Sequence, residues 1–200
     1  MKYLLSLIRT GVLLSILLIA VTGTYAQIYR VGAGLNFTTG FKHNSVESGN
    51  PGLTLKTWIA LDKRSTIHIV PSVTAFYPSS LRLPTYTMHN NLFMADLNGQ
   101  YMTFQDGSVK IVVFAGGNFL YTTSRRTQND PKYPISPNAL TDSTDFAIGG
   151  NAGAGLELRM GSHWDMNISI KYTISKYSQF IISAEGVYYF KSRRKAYRRR

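Results

Sequence analysis

Cysteine is absent from the 200 residues. That excludes disulfides, thiolate metal centres, cysteine nucleophiles and the lipid-bearing cysteine of a lipoprotein. An exported domain without disulfides has to be held by its core or by complete closure of its strands. Also missing, beyond the N-terminus, is any run of about 18 uncharged apolar residues, so no helical membrane span is expected in the mature part. Acidic residues are scarce, 10 against 22 Lys and Arg. The imbalance is local, because Lys191, Arg193, Arg194, Lys195, Arg198, Arg199 and Arg200 crowd the last ten positions. Without that tail and the two bases near the N-terminus, 13 bases face 10 acids. The basicity belongs to a tail, not to a surface.

What is present suits strands. There are 13 Tyr, 10 Phe and 17 Gly, and hydrophobic content is an ordinary 44%; such a mix favours β-structure with tight turns. The length fits one domain. Residues 1–26 have the form of a secretory signal peptide. Lys2 and Arg9 supply positive charge, Gly11–Val21 an apolar core, and Thr24-Tyr25-Ala26 a small-x-small cleavage site before Gln27. The apolar core is too short to span a bilayer, so export with cleavage is expected.

From Gln27 to Phe190 the side-chain period is two. Tyr29, Val31, Ala33, Leu35 and Phe37 alternate with Arg30, Gly32, Gly34 and Asn36; Leu53, Leu55, Ile59 and Leu61 with Thr54, Lys56 and Trp58. The same scheme recurs about 67–77, 93–101, 109–121, 152–160, 166–172 and 182–190. Eight stretches of about ten residues match the length a tilted strand needs to cross a bilayer. The connections alternate too. Asp62–Ser65, Gln105–Gly107 and Gly161–His163 are short, whereas Thr38–Pro51, Pro78–Met88 and Thr123–Thr144 are long and polar, and Ser175–Ser178 is modest. The pattern predicts an all-β fold, an eight-stranded antiparallel up-and-down transmembrane barrel over 27–190. The Gln105-Asp106-Gly107 turn is expected to be a three-residue loop with a bulge, and Pro71 to force a bulge in its strand.

Charge decides which face is outside. Arg30, Lys56, Asp96, Lys110, Glu157, Arg159, Asp165, Lys171 and Glu185 all fall on the polar face. Five bases and four acids among glycines are what a narrow lumen requires, since an unpaired interior charge is costly. Hairpin geometry about Gly161–His163 sets Arg159 opposite Asp165, and these two are expected to pair. Aromatic residues gather near the strand ends as interface girdles do. Tyr29, Tyr101, Trp164, Tyr188 and Phe190 mark the turn side, and Phe37, Tyr77, Tyr121, Tyr172 and Phe180 the loop side.

Strand count, loop alternation, charged lumen and the closing Ala184-Glu185-Gly186-Val187-Tyr188-Tyr189-Phe190 resemble the small outer-membrane β-barrel family of the OmpA barrel domain and OmpX. The resemblance covers 27–190 and implies placement in a bacterial outer membrane among its lipids. It also implies recognition of the last strand by outer-membrane assembly machinery. It brings no catalytic motif: relatives serve as structural, adhesive or narrow-pore proteins, and a few modify lipids.

The residues offer little chemistry of their own. His68 and Ser72 share a strand face but lie about 13 Å apart, too far for a nucleophile and its base. Gly149–Gly155 is followed by alternating residues rather than a helix, so it is no nucleotide-binding loop. No metal-ligand spacing occurs, and neither cofactor nor enzymatic activity is expected. In the periplasm the tail 191–200 would meet anionic headgroups or acidic envelope polymers rather than nucleic acid. The loop bearing Arg125, Arg126 and Lys132 is the candidate surface for recognition. The function expected is therefore a non-enzymatic structural or surface-recognition role, with a narrow pore or a lipid-modifying enzyme as alternatives.

Overall fold

The computed structural model describes residues 28–190 apart from 39–40, 44–45, 63–64, 83 and 130–141. The signal-peptide segment, the basic tail and Lys132 lie outside the described residues. Eight strands form the barrel wall: β1 (Ile28–Thr38), β4 (Pro51–Ala60), β5 (Ile67–Phe76), β7 (Tyr86–Asp106), β8 (Val109–Gln128), β9 (Ser143–Arg159), β10 (Trp164–Ile174) and β11 (Gln179–Tyr189). Each pairs antiparallel with its chain neighbour. The ring closes where β1 meets β11, with Val31 opposite Tyr188 and Phe37 opposite Ile182. Outside the wall, β2 (Phe41–His43) pairs with β3 (Val46–Ser48), and β6 (Ser79–Arg82) lies along the end of β7.

Alternation has the expected sense. Leu55 is 61% exposed and Leu156 44%, while Glu157 is buried and Lys56 is turned inward toward the buried Glu185. Buried polar residues outnumber buried apolar ones, the inverse of a water-soluble core. Water-soluble surfaces rarely carry continuous apolar patches beyond a few hundred Å². Here Leu35, Leu53, Val73, Leu97, Ile111, Ile148, Ile168 and Ile182, one from each strand, ring the whole wall. Such an exterior suits hydrocarbon. Aromatic residues of the described girdle flank it, with Trp164 and Phe190 packed about Tyr188 at ring separations of 5.0 and 5.9 Å on the turn side. On the loop side Tyr172 packs on Phe180 at 4.6 Å.

Three expectations need correction. The β7–β8 hairpin closes between Asp106 and Val109, leaving the two-residue turn Gly107-Ser108 instead of three residues. Gly107 takes φ +51, which glycine adopts without strain. An even turn alone would invert the faces, and a register shift between Met102 and Phe104 restores them. Pro71 causes no bulge. The β4–β5 register is the same at Lys56–Ser72 and Ile59–Ile69, but the ladder is broken between, where proline has no N–H to give. On its other side Pro71 keeps its place opposite Leu97. The third correction concerns length. β7 and β8 run 21 and 20 residues, so much of the polar sequence read as loops at 78–88 and 123–144 is strand standing above the wall.

Among the short turns, β4–β5 is organised by one carboxylate. Asp62 accepts from the Thr66 and Ile67 amides at 2.7 and 2.9 Å and from the Thr66 hydroxyl at 2.6 Å. A side chain that satisfies nearby backbone donors is how Asp builds a turn.

Candidate functional site

An eight-stranded barrel has an interior just wide enough for side chains to fill. The lumen is filled in tiers. Nearest the turns, Arg30 of β1 donates to Glu157 of β9 at 2.6 Å and to the Tyr189 hydroxyl of β11 at 2.8 Å. Its guanidinium lies 4.5 Å from the centre of the Trp58 ring, within cation–π range. Lys110 reaches Glu157 at 3.2 Å, Asp165 at 3.4 Å and the Tyr189 hydroxyl at 3.2 Å. Tyr189 in turn donates to Asp165 at 2.9 Å. Trp58 donates to Gln100, and Gln100 to Glu157, at 2.9 and 3.3 Å. One buried network joins seven of the eight wall strands and the residues either side of the closing seam.

The middle tier is also ionic. Lys56 pairs with Glu185 at 2.5 Å, and Asn167 donates to the same carboxylate at 3.0 Å. Lys171 pairs with Asp96 at 2.7 Å, where Ser72 and Asn151 donate at 3.0 and 3.2 Å. Room comes from missing side chains. A Cβ on Gly34 would stand 2.2 Å from the Ala184 carbonyl oxygen and 2.7 Å from the Glu185 side chain, so no other residue fits there without movement.

Eight of the nine charges expected in the lumen are therefore brought together as four bases and four acids. The ninth, Arg159, is not. It stands opposite Asp165 in register, as the hairpin requires, but its Nε reaches the Gly161 carbonyl at 3.5 Å. Asp165 turns instead to Lys110 and Tyr189. Arg159 lies at the rim, half-exposed, where water competes with an ion pair that interior dielectric favours deeper in. With it outside, the interior charge balances.

The third tier was not foreseen. Phe76, Leu92, Met94, Leu120, Ala147, Tyr177 and Ile181 form an apolar cluster inside the loop-side mouth. Parity carried the signal. Leu92 and Met94 share the face of Asp96, Leu120 that of Asn118, and Phe76 that of Thr74. Tyr177 comes from the β10–β11 loop and folds over the mouth, its hydroxyl donating to Asp145, which Lys176 also holds at 2.5 Å.

The expected recognition residues Arg125 and Arg126 are not on a loop. Both lie on β8, opposite His89 and Met88 of β7. Arg125 is exposed and meets Asp142 at 3.4 Å. Ser80 and His89, cross-strand neighbours, share a hydrogen bond of 2.7 Å. His68 is buried in the lumen, and the Ser72 hydroxyl donates to Asp96.

No protein-family model matches the chain, and no curated protein matches it in sequence. Solved structures match it in shape. Neisserial surface protein A aligns with a TM-score of 0.61 at 12% identity, over 82% of this chain and 99% of that one. The N-terminal β-barrel domain of Pseudomonas aeruginosa OprF gives 0.55 at 12% identity, with the same coverage. Ail, the attachment invasion locus protein of Yersinia pestis, gives 0.54 at 10%, again over 82% and 99%. In fold, the chain is a closed eight-stranded antiparallel barrel of the small outer-membrane kind, that of the OmpA barrel domain and OmpX.

Proposed function

We propose that this chain is a non-enzymatic outer-membrane protein whose barrel is a sealed platform. Its work is done at the wall and the outward rim rather than through the lumen. The observation carrying this reading is the tiered filling. The ionic tiers link strands across the interior, and the apolar tier under Tyr177 fills part of the loop-side mouth. An ion crossing that tier would exchange part of its hydration for apolar contacts, which is unfavourable. That weighs against the narrow-pore alternative. The segment 1–26 is the export signal in this reading, and β11 with the Phe190 that follows it is the feature taken up by assembly machinery. With both ends of the wall on the turn side, the basic tail 191–200 extends into the periplasm toward anionic headgroups of the inner leaflet or acidic envelope polymers.

Planar-bilayer recording on the folded full chain tests the sealed lumen. No unitary steps are expected, and a steady unitary conductance would overturn the reading. Membrane fractionation with heat-modifiable gel mobility tests the location. Recovery in the soluble fraction without detergent would remove the outer-membrane reading altogether.

A further inference from the structure

The outward faces of β7, β8 and β9 change character in register as they leave the apolar belt. The first row above it is aromatic: Phe93, Tyr121 and Phe146 stand side by side, Phe146 stacked on Phe119 at 6.4 Å. Two residues further, about 7 Å along the strands, the row is Asn91, Thr123 and Thr144, with Asn91 donating to Thr123 at 3.3 Å. Two residues beyond come His89 and Arg125, with Arg125 meeting Asp142 through Nε. Between the upper rows lies a niche of about 350 Å³ lined by Asn91, Thr123, Arg125, Asp142, Ser143 and Thr144.

We propose that this niche binds the headgroup of a phosphorylated glycolipid in the outer leaflet. The inference rests on the outer-membrane reading above and names the partner of its rim. Each row meets one part of such a molecule. The aromatic row lies at the level where acyl chains join the headgroup, as aromatic side chains do at membrane interfaces. Amide and hydroxyl groups of the middle row supply the donors and acceptors that sugar hydroxyls need. Arg125 supplies the cation for phosphate. A guanidinium has five N–H donors, and the contact to Asp142 is made through Nε, leaving the terminal nitrogens on a side chain 77% exposed. A simple phosphodiester headgroup would use the cation and leave the amide, hydroxyl and carboxylate groups idle. A sugar phosphate uses all of them.

The full chain, folded in phosphatidylcholine nanodiscs, tests this by displacement of a fluorescent bisphosphorylated glucosamine-disaccharide glycolipid. Unlabelled glycolipid should displace it well below the concentration of phosphatidylglycerol carrying equal charge. Arg125→Ala and Asn91→Ala should each weaken binding, Arg125→Ala by about tenfold, the worth of one charge-assisted hydrogen bond. Arg159→Ala, at the opposite rim, should leave binding unchanged. Equal displacement by phosphatidylglycerol, or binding indifferent to Arg125→Ala and Asn91→Ala, overturns the proposal. So does equal affinity for the soluble disaccharide phosphate, which would make the occupant a free saccharide. Heat-modifiable mobility of every variant is read alongside. Loss of the folded band in the unsubstituted chain would count against the barrel reading, whereas folded variants that bind normally count against the niche alone.

Discussion

Arg30 and Glu157 meet at 2.6 Å inside the barrel although 127 residues separate them in the chain. Glu157 also receives Lys110 at 3.2 Å. Two buried bases thus share this acid, Lys110 also lying 3.4 Å from Asp165. Removing one partner of a buried pair costs about 3–5 kcal/mol because the other charge is left uncompensated. Glu157→Gln should lower unfolding stability in detergent micelles by that order, read from the urea midpoint at constant slope. Arg159→Ala should fall within about 0.5 kcal/mol of the unsubstituted chain, as rim substitutions do. Equal effects from the two variants would mean that the network does not carry the charge balance described.

The contrast between Arg159 and Lys110 shows where sequence reading stops. Period-two alternation placed Leu55 outside and Lys56 inside, because each pleat assigns a face regardless of neighbours. Hairpin length gave the register that sets Arg159 opposite Asp165. Neither reveals how far a lysine reaches across a lumen. Lys110 spans from β8 to Asp165 on β10, across the intervening β9, a reach that hairpin register alone does not show. The extensions of β7 and β8 were hidden for another reason. Residues such as Thr87, Asn90, Thr123 and Ser124 have loop-like composition, and their strand state comes from backbone pairing with each other. The apolar tier was readable from parity, but polar neighbours on the same face masked it.

Pro71 interrupts the ladder of the β4–β5 seam. The ladder is missing between Lys56–Ser72 and Ile59–Ile69, within the apolar belt, where under the proposed placement lipid offers no substitute hydrogen bonds. Pro71→Val should supply the absent N–H and raise stability by about 1 kcal/mol, the net worth of one hydrogen bond. Hydrogen exchange at Thr57 and Trp58 should slow in the variant relative to the unsubstituted chain. Unchanged exchange there would show that the seam owes nothing to the proline.

Two glycines separate packing from mere position. At Gly34 a Cβ would meet backbone of the closing strand at 2.2 Å, while at Gly161 nothing lies within 4 Å. Gly34→Ala must push β1 from β11 at the seam that closes the ring. A cost of about 1–3 kcal/mol follows, the usual penalty for overpacking. Gly161→Ala should be nearly neutral. Heat-modifiable mobility across a temperature series reads both, and a Gly34→Ala barrel as resistant as the unsubstituted one would contradict the close approach.

Asp145, Lys176 and Tyr177 predict a pH response confined to the loop-side mouth. Hydrogen bonds from Lys176, then from Tyr177, hold the Asp145 carboxyl below its ordinary value. A lowered pKa means that the folded arrangement favours the ionised form. Its contribution is therefore complete above the unfolded value of about 4 and fades as pH falls through the lowered one. Asp145 is open to solvent, so the effect is local order of the 175–178 loop rather than global stability. NMR of the Tyr177 ring should report the packed state at pH 5 and its release only well below pH 4. Asp145→Asn should release the ring at every pH. Release near pH 6, where histidine rather than carboxylate titrates, would assign the latch to another group.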